Sequence, residues 1–222
     1  MTRLIIYDFD GVVADSEVLA NAVLAEFVTE LGVPTTLEDS YTLYMGKRFN
    51  EVMAAVETSL GRGLPEGLPA EFQARTLERF RRELRLVKGA RQHLDAFAHV
   101  PRCVASSSSP DRLAVCFDVL KLHNDFAGQV FSAAAVSRGK PHPDIFLHAA
   151  ERMRCEPANC LVIEDSAAGV AAGIAAGMTV VGLMAGSHMR PEHRQRLISA
   201  GARLIASTFE EASDITRQLI LG

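Results

Sequence analysis

One short strand near the start of the chain constrains the fold more than any other feature. The segment RLIIYDFD, residues 3–10, is a short apolar run rich in β-forming residues, as expected for a fully buried strand. Residues 15–87 then show no strand pattern, whereas strands and helices alternate after residue 87. A buried strand needs neighbours, so this isolated one predicts a sheet-forming core that is interrupted by a helical insertion.

Within the insertion, the spacing of apolar residues predicts three helices. The first covers 16–31, with Asp15 as its N-cap, and the others cover 40–60 and 70–86. A loop rich in Gly and Pro, GRGLPEGLP, separates the last two.

After the insertion, the pattern predicts five further strands, each followed by a helix. The strands are 102–106, 129–133, 160–165, 178–184 and 202–207, and the helices are 90–99, 110–121, 143–153, 166–176, 191–200 and 208–220. Repeated β-α units with short connections predict an α/β fold with a doubly wound parallel sheet. We therefore expect a catalytic core of residues 1–14 and 88–222 and an all-α cap domain of residues 15–87.

Composition excludes several classes of function. The formal net charge of −4 favours neither a nucleic-acid nor a membrane partner, and no apolar run approaches the ~18 residues of a membrane span. The four cysteines form no CxxC pair, which favours reduced thiols over a disulfide or zinc framework. We expect a cytoplasmic monomer.

Polar residues follow four of the predicted strands. They are Asp8, Asp10 and Gly11 after the first, Ser106 to Ser109 after the second, Lys140 after the third, and Glu164, Asp165 and Ser166 after the fourth. Because ligands bind beyond the carboxyl ends of parallel strands, these residues are expected to share one site. Each alone has a simpler interpretation as a turn, cap or surface residue; their joint occurrence favours function.

Clustered carboxylates need a cation. At about 4 Å each pair repels by about 4 kcal/mol at an effective dielectric near 20. Carboxylate oxygens without a nearby His or Cys ligand favour Mg²⁺. A metal, Lys140 and a serine hydroxyl together suit a phosphoryl group.

The two aspartates on either side of Phe9 suit two different roles. If the strand stays extended, Asp8 and Asp10 point the same way. One carboxylate can attack phosphorus while the other moves protons. Gly11 lets the chain turn close to the phosphate.

Four segments together resemble the haloacid dehalogenase superfamily. They are DFDGVVADSE, VASSSS, GKPHPDIF and VIEDSAAGVAAGIAAGM, and they are most similar to the β-phosphoglucomutase-like and 6-phosphogluconate phosphatase-like branch, which has a helical cap. The resemblance implies that Asp8 is the nucleophile and Asp10 the acid/base. It implies that Ser106 and Lys140 hold the phosphoryl group, and we add Ser107 as a phosphate-binding candidate.

The resemblance also implies a Mg²⁺ site and a substrate-selecting cap. The metal ligands would be the Asp8 and Asp165 carboxylates and the Asp10 backbone carbonyl, with Glu164 beside the metal or its waters. The segment YMGKRFNEV resembles the family's cap loop, so the candidate substrate contacts are Gly46, Lys47 and Arg48. Exposed positive residues near a helix start are an equal alternative for these three.

Departures from related activities narrow the expected reaction. True haloacid dehalogenases lack the second aspartate, so Asp10 argues against cleavage of a carbon–halogen bond. Lys47, the cap lysine before residue 88, does not resemble the Schiff-base lysine of phosphonatase-type members. The mutase carries a cap histidine where this chain has Ala20, and residues 15–87 contain no histidine. The sequence therefore predicts a Mg²⁺-dependent phosphatase for a small phosphorylated metabolite. A sugar phosphate is the first candidate substrate.

Two alternatives remain open at this point. One is a phosphosugar mutase of the β-phosphoglucomutase type. The other is a non-enzymatic phospho-acceptor switch like a response-regulator receiver. In that module the acidic pair is adjacent and no cap is inserted, which disfavours it here.

Overall fold

The computed structural model describes residues 2–45 and 49–221 and divides the chain into two compact units. One unit is built from two segments of the chain, the first ending at Asp15 and the second beginning at Arg85, and it contains the whole β-sheet. The other unit spans Ser16–Leu84, and all its regular structure in the described residues is α-helix. The chain therefore leaves the sheet-containing unit once and returns to it once.

The helical unit contains four helices in its described part. They are α1 (Glu17–Glu30), α2 (Leu37–Leu43), α3 (Phe49–Leu60) and α4 (Leu68–Glu83). Their core consists of buried apolar side chains of α1 and α3 and of Tyr44, directly after α2, with Val28 and Val56 fully buried and the partly buried Phe72 of α4 packed against them. The prediction of one helix over 40–60 was wrong, because α2 ends at Leu43 and α3 begins at Phe49.

The earlier start of α2 has a local cause. The Oγ of Thr36 accepts a hydrogen bond from the Asp39 backbone N–H at 3.1 Å, and the Asp39 carboxylate accepts one from the Thr36 N–H at 2.9 Å. This reciprocal capping box satisfies two N–H groups that a helix start otherwise leaves unpaired. The candidate substrate contacts Gly46, Lys47 and Arg48 lie outside the described residues.

The sheet has six parallel strands in the order β3-β2-β1-β4-β5-β6. The strands are β1 (Leu4–Tyr7), β2 (Arg102–Ser106), β3 (Val130–Ser132), β4 (Cys160–Glu164), β5 (Thr179–Leu183) and β6 (Leu204–Ala206). The predicted α/β class with a doubly wound parallel sheet is confirmed. β1 is central, so the strand that precedes the insertion pairs on both edges with strands that follow it.

Helices cover both faces of this sheet. They are α5 (Ala90–Ala96), α6 (Pro110–Leu120), α7 (His123–Phe126), α8 (Asp144–Arg152), α9 (Ala167–Ala175), α10 (Pro191–Ser199) and α11 (Phe209–Leu221). Leu4 and Ile6 of β1 belong to one buried cluster with side chains of α8, α9 and α10. Tyr7 points to the other face, because side chains alternate along a strand, and its ring meets that of His93 on α5 edge-on at 5.8 Å. Among the described residues, no helix is long and apolar enough to cross a bilayer.

Asp15 does not cap α1 as predicted. Ser16 precedes the helix, and the Asp15 carboxylate instead accepts hydrogen bonds from the backbone N–H of Ser187, at 3.0 Å, and from its hydroxyl. The Asp15 N–H donates to the Arg85 carbonyl at 2.9 Å. This carboxylate therefore ties the end of the first core segment to a distant loop of the same unit.

A buried histidine joins α5 to α11. The Nδ1 of His93 lies 2.8 Å from the Ser213 hydroxyl oxygen, and that hydroxyl donates to the Phe209 carbonyl at 2.7 Å. Because the Ser213 proton is used there, Nδ1–H is the donor to Ser213. Burial lowers the pKa of His93 to about 4, and the nearby Arg217 and Arg102 contribute to the decrease.

We predict that His93 makes stability fall as the pH falls from about 6.5 to 4. In that window the imidazole is protonated in the unfolded chain but stays neutral in the folded protein, so lower pH favours unfolding. Between pH 7.5 and 5 the contribution is about 2 kcal/mol of unfolding free energy. Urea unfolding of His93→Gln should show a correspondingly weaker pH dependence, whereas the exposed control His99→Gln should behave like the wild type. An unchanged pH dependence in His93→Gln would contradict the assignment.

Candidate active site

The parallel register brings polar residues to one edge of the sheet. Tyr7 of β1 pairs with Val104 of β2 and with Ile163 of β4, so these three strands end at nearly the same level. The Asp8 N–H continues this pairing by donating to the Ile163 carbonyl at 3.0 Å. Residues that follow β1, β2 and β4 therefore meet at this edge.

Lys140 lies at the centre of the site. Its Nζ donates hydrogen bonds to Asp8 Oδ1 at 2.5 Å, to Glu164 Oε1 at 2.7 Å and to the Ala105 carbonyl at 3.2 Å. These three acceptors use all three ammonium hydrogens. The ammonium also lies 4.8 Å from the centre of the Phe146 ring, on the first turn of α8. Lys140 therefore connects the ends of β1, β2 and β4 through one buried charge.

The segment that carries Lys140 is itself held in place. Arg138 donates two hydrogen bonds to the Asp144 carboxylate, at 2.8 and 3.1 Å, across the turn that leads into α8. This pair is exposed, so its contribution to stability is small. Its geometric effect is to close the turn on either side of Lys140.

Three carboxylates form a buried acidic cluster. One oxygen each from Asp8, Glu164 and Asp165 lies within 4.8 Å of the others, and all three residues are buried. At that separation each ionised pair repels by about 3 kcal/mol at an effective dielectric near 20. Lys140 forms ion pairs with two of these carboxylates, Asp8 and Glu164, so one buried cation serves two of the three acidic groups.

The pKa values of Asp8 and Lys140 reflect the charges around them. Burial raises the pKa of Asp8 well above its usual range; Lys140 opposes this, and Glu164 and Asp165 add to it. Burial alone would lower the pKa of Lys140, but Asp8 and Glu164 raise it above its usual value. The cluster is therefore short of positive charge, and three hard oxygen donors fit a divalent cation such as Mg²⁺.

Glu164 is fixed on both sides of its carboxylate. Its Oε2 accepts from the Ser166 N–H at 2.7 Å and from the Ser166 hydroxyl at 2.9 Å, while Oε1 accepts from Lys140. Ser166 also caps α9, because its Oγ accepts from the Gly169 N–H at 3.0 Å. A Cβ at Gly169 would lie 1.6 Å from Glu164 Oε1. Only glycine at that position leaves room for the carboxylate.

Asp10 is close in sequence but has different partners. Ser108 Oγ donates to its Oδ2 at 2.6 Å, and an Arg112 NH₂ group donates to its Oδ1 at 2.7 Å. Its carboxylate is not part of the acidic cluster within the described residues. Ser108 lay within the serine run expected at the site, although no separate role was predicted for it, whereas nothing in the sequence marks Arg112.

The chain around Asp10 turns instead of continuing the strand. The prediction of a strand to residue 10 was wrong, because β1 ends at Tyr7 and Phe9 is buried, with its ring stacked on Phe117 at 5.3 Å. Gly11, at a φ of 78°, donates its N–H to the Ala14 carbonyl at 2.7 Å. This positive φ favours glycine and closes a tight turn directly after the two aspartates.

The predicted serines differ in placement. Ser106 is buried at the end of β2, and its Oγ accepts from the Ser108 N–H at 3.0 Å. Ser107 is exposed.

A histidine that the sequence motifs did not indicate contacts the acidic cluster. His188 Nε2 lies 3.2 Å from Asp165 Oδ2. In sequence, His188 belongs to the segment GSHM at 186–189, which follows β5 and is distant from every motif noted above.

Comparison with known proteins gives a consistent result. Residues 2–177 match the family model of haloacid dehalogenase-like hydrolases. The 6-phosphogluconate phosphatase of Escherichia coli K12 is 30% identical over 195 residues, which cover 86% of this chain and 87% of that protein. This agrees with the resemblance that the four sequence motifs carry.

Two crystal structures are similar over nearly the whole chain. A haloacid dehalogenase-like protein of unknown function from Agrobacterium tumefaciens C58 has a TM-score of 0.89 and 32% identity, and the match covers 99% of this chain and 100% of that one. A HAD family hydrolase from Deinococcus radiodurans R1, with bound phosphate and sodium, has a TM-score of 0.85 and 29% identity, with 99% and 97% covered.

We predict that Gly169→Ala destabilises the protein although it lies in a helix. Alanine normally gains up to about 1 kcal/mol over glycine there. Here the new methyl group would displace the Glu164 carboxylate, so we expect a net loss of about 1–3 kcal/mol of unfolding free energy in urea. Gly139→Ala, where a Cβ meets nothing within 4 Å, is the control and should change stability by less than about 0.5 kcal/mol. A Gly169→Ala variant as stable as the wild type would show that Glu164 is not confined there.

Proposed function

Because this chain belongs to the haloacid dehalogenase-like hydrolase family and is a phosphoric monoester hydrolase, we propose that it hydrolyses a small phosphorylated metabolite with Mg²⁺ through an aspartyl-phosphate. The observation that carries this proposal is the buried contact of Lys140 with both Asp8 and Glu164 beside Asp165. It joins a candidate nucleophile, a fixed cation and a hard-oxygen metal site in one cluster.

In the first step, Asp8 attacks the phosphorus of the substrate. A bond forms between a carboxylate oxygen and phosphorus, and the bond from phosphorus to the substrate alcohol breaks. Lys140, already bonded to Asp8 Oδ1, holds the nucleophile in one orientation and places a positive charge beside the transferring group. Ser106, buried at the end of β2, is proposed to donate a hydrogen bond to the phosphoryl group.

Asp10 is proposed to move the protons of both steps. As an acid it gives a proton to the departing alkoxide; as a base it then takes one from the water that attacks the aspartyl-phosphate. That attack releases inorganic phosphate and restores Asp8. Ser108 and Arg112 hold the Asp10 carboxylate, which fixes the orientation of the group proposed to move the protons.

A metal ion fits the acidic cluster. We propose that the Asp8 and Asp165 carboxylates and the Asp10 backbone carbonyl hold Mg²⁺, with Glu164 beside it. When bound, the ion supplies positive charge to the phosphoryl oxygens. Glu164 is already bonded to Lys140 and Ser166, which suits a supporting role.

The substrate class is proposed from similarity and from the helical unit. A relative named as a 6-phosphogluconate phosphatase makes a sugar phosphate the first candidate. Residues 16–84 are proposed to act as the substrate-selecting cap, with Gly46, Lys47 and Arg48 as candidate contacts. The absence of histidine from residues 15–87 favours hydrolysis over the mutase alternative. A monomer and a cytoplasmic location remain predictions.

We predict that Asp8→Asn abolishes hydrolysis. Purified protein with Mg²⁺ should release p-nitrophenol from p-nitrophenyl phosphate, and the variant should lose about three orders of magnitude or more in kcat, because an amide cannot act as the nucleophile. Chelation of Mg²⁺ should abolish the wild-type activity, and added Mg²⁺ should restore it. Asp118→Asn, an exposed carboxylate on α6, is the matched control and should keep full activity. Unchanged turnover in Asp8→Asn would overturn the mechanism.

We predict that phosphate release will account for all substrate consumed. A panel of sugar phosphates that includes 6-phosphogluconate, assayed by phosphate release and by chromatography of the products, separates a phosphatase from a mutase. Isomerised phosphosugar formed after priming with a bisphosphate, without stoichiometric phosphate, would favour the mutase alternative instead.

A further inference from the structure

A histidine that the proposed mechanism does not use lies against the acidic cluster. His188 is buried, with 5% of its surface exposed, and its Nε2 is 3.2 Å from Asp165 Oδ2. It lies in a tight turn, in which the Met189 N–H donates to the Gly186 carbonyl at 3.0 Å. We propose that His188 is a positioning residue that orients the Asp165 carboxylate for the metal, an inference that rests on the Mg²⁺ site of the proposed function.

Two glycines confine the imidazole ring. A Cβ at Gly186 would lie 2.7 Å from His188 Cε1, and a Cβ at Gly11 would lie 2.8 Å from the same atom and 1.8 Å from Asp165 Oδ2. Side chains at these two positions would push the ring or the carboxylate away. The site therefore has room for this one arrangement of ring and carboxylate because both neighbours are glycine.

The turn is anchored from its other side as well. Ser187 donates hydrogen bonds from its N–H and its hydroxyl to the Asp15 carboxylate. Residue 187 thus faces Asp15 while residue 188 faces Asp165. This two-sided anchoring holds His188 Nε2 at a constant place relative to the end of β4.

The direction of the hydrogen bond follows from the partner. An ionised carboxylate only accepts hydrogen bonds, so Nε2 must carry the hydrogen that Asp165 Oδ2 receives. This holds for the neutral Nε2–H tautomer and for the charged imidazole alike. The proposed role is therefore one of orientation and does not require His188 to change its protonation state.

The consequence concerns the orientation of the Asp165 carboxylate. With Oδ2 in contact with His188 Nε2, rotation of the carboxylate is restricted, so Asp165 faces the acidic cluster in one orientation. Loss of a hydrogen bond to a metal-ligating side chain commonly lowers metal affinity by about 10–100-fold. His188 is therefore expected to contribute to Mg²⁺ affinity without touching the metal or the substrate.

Two amide variants test the proposal. The side-chain nitrogen of glutamine reaches the position of Nε2, whereas that of asparagine reaches only the position of Nδ1. We expect His188→Gln to bind Mg²⁺ within about threefold of the wild type and His188→Asn to bind it about tenfold more weakly, as measured by isothermal titration calorimetry without substrate. Both amides are small, polar and uncharged, so folding should be retained, and thermal unfolding without Mg²⁺ checks this.

A kinetic readout and a control accompany the calorimetry. In His188→Asn, saturating Mg²⁺ should restore kcat, because the reacting groups are unchanged. His193→Asn is the control: its ring lies 6.1 Å from that of His188, and it should bind Mg²⁺ like the wild type. Equal Mg²⁺ affinity in the Gln and Asn variants, or no Mg²⁺ binding by the wild type, would overturn the proposal.

The outcomes separate this inference from the proposed function. If the wild type hydrolyses phosphate esters but the Gln and Asn variants bind Mg²⁺ equally well, the function stands and the role of His188 is refuted. If the two variants differ in Mg²⁺ affinity as expected but no phosphate ester is hydrolysed, the role of His188 is supported and the proposed function fails.

Discussion

The three hydrogen bonds of the Lys140 ammonium are the interaction on which the rest of the site depends. They connect the end of β1 at Asp8, the end of β2 at the Ala105 carbonyl and the end of β4 at Glu164. A buried ammonium or carboxylate alone would be strongly unfavourable, and each is tolerated here because the other satisfies it. Lys140 still cannot balance three carboxylates. This remaining negative charge is what makes the cluster suited to a divalent cation and a phosphoryl group.

Such a cluster requires a rigid frame. β1 supplies it, because all four residues Leu4–Tyr7 are almost completely buried and pair with strands on both sides. Beyond the strand, two positions have no room for a side chain: a Cβ at Gly11 would collide with Asp165, and a Cβ at Gly169 would collide with Glu164. The acidic groups are thus held by close backbone packing as much as by hydrogen bonds. Stability is given up locally for a fixed arrangement of charges, as is common at functional sites.

Much of the fold and of the site could be predicted from short-range patterns. Apolar runs located all six strands, and the order of acidic, hydroxyl and basic residues at their ends located Asp8, Lys140, Glu164 and Asp165. Errors arose where a local pattern had two solutions. The helix predicted over 40–60 is two helices with an earlier start, and the Asp15 carboxylate accepts from Ser187 rather than from the start of α1. In both cases a specific hydrogen bond decided between alternatives of similar local energy.

By itself, the sequence determined that a buried strand ends in two carboxylates, that helices separate it from its partners, and that further polar groups follow later strands. These are properties of residue type and periodicity. Only the tertiary structure decided that β1 lies between β2 and β4, that Arg112 and Ser108 hold Asp10, and that His188 holds Asp165. These partners are distant in the chain and carry no local signal, because hydrogen bonds between remote residues depend on how the strands are ordered in the sheet.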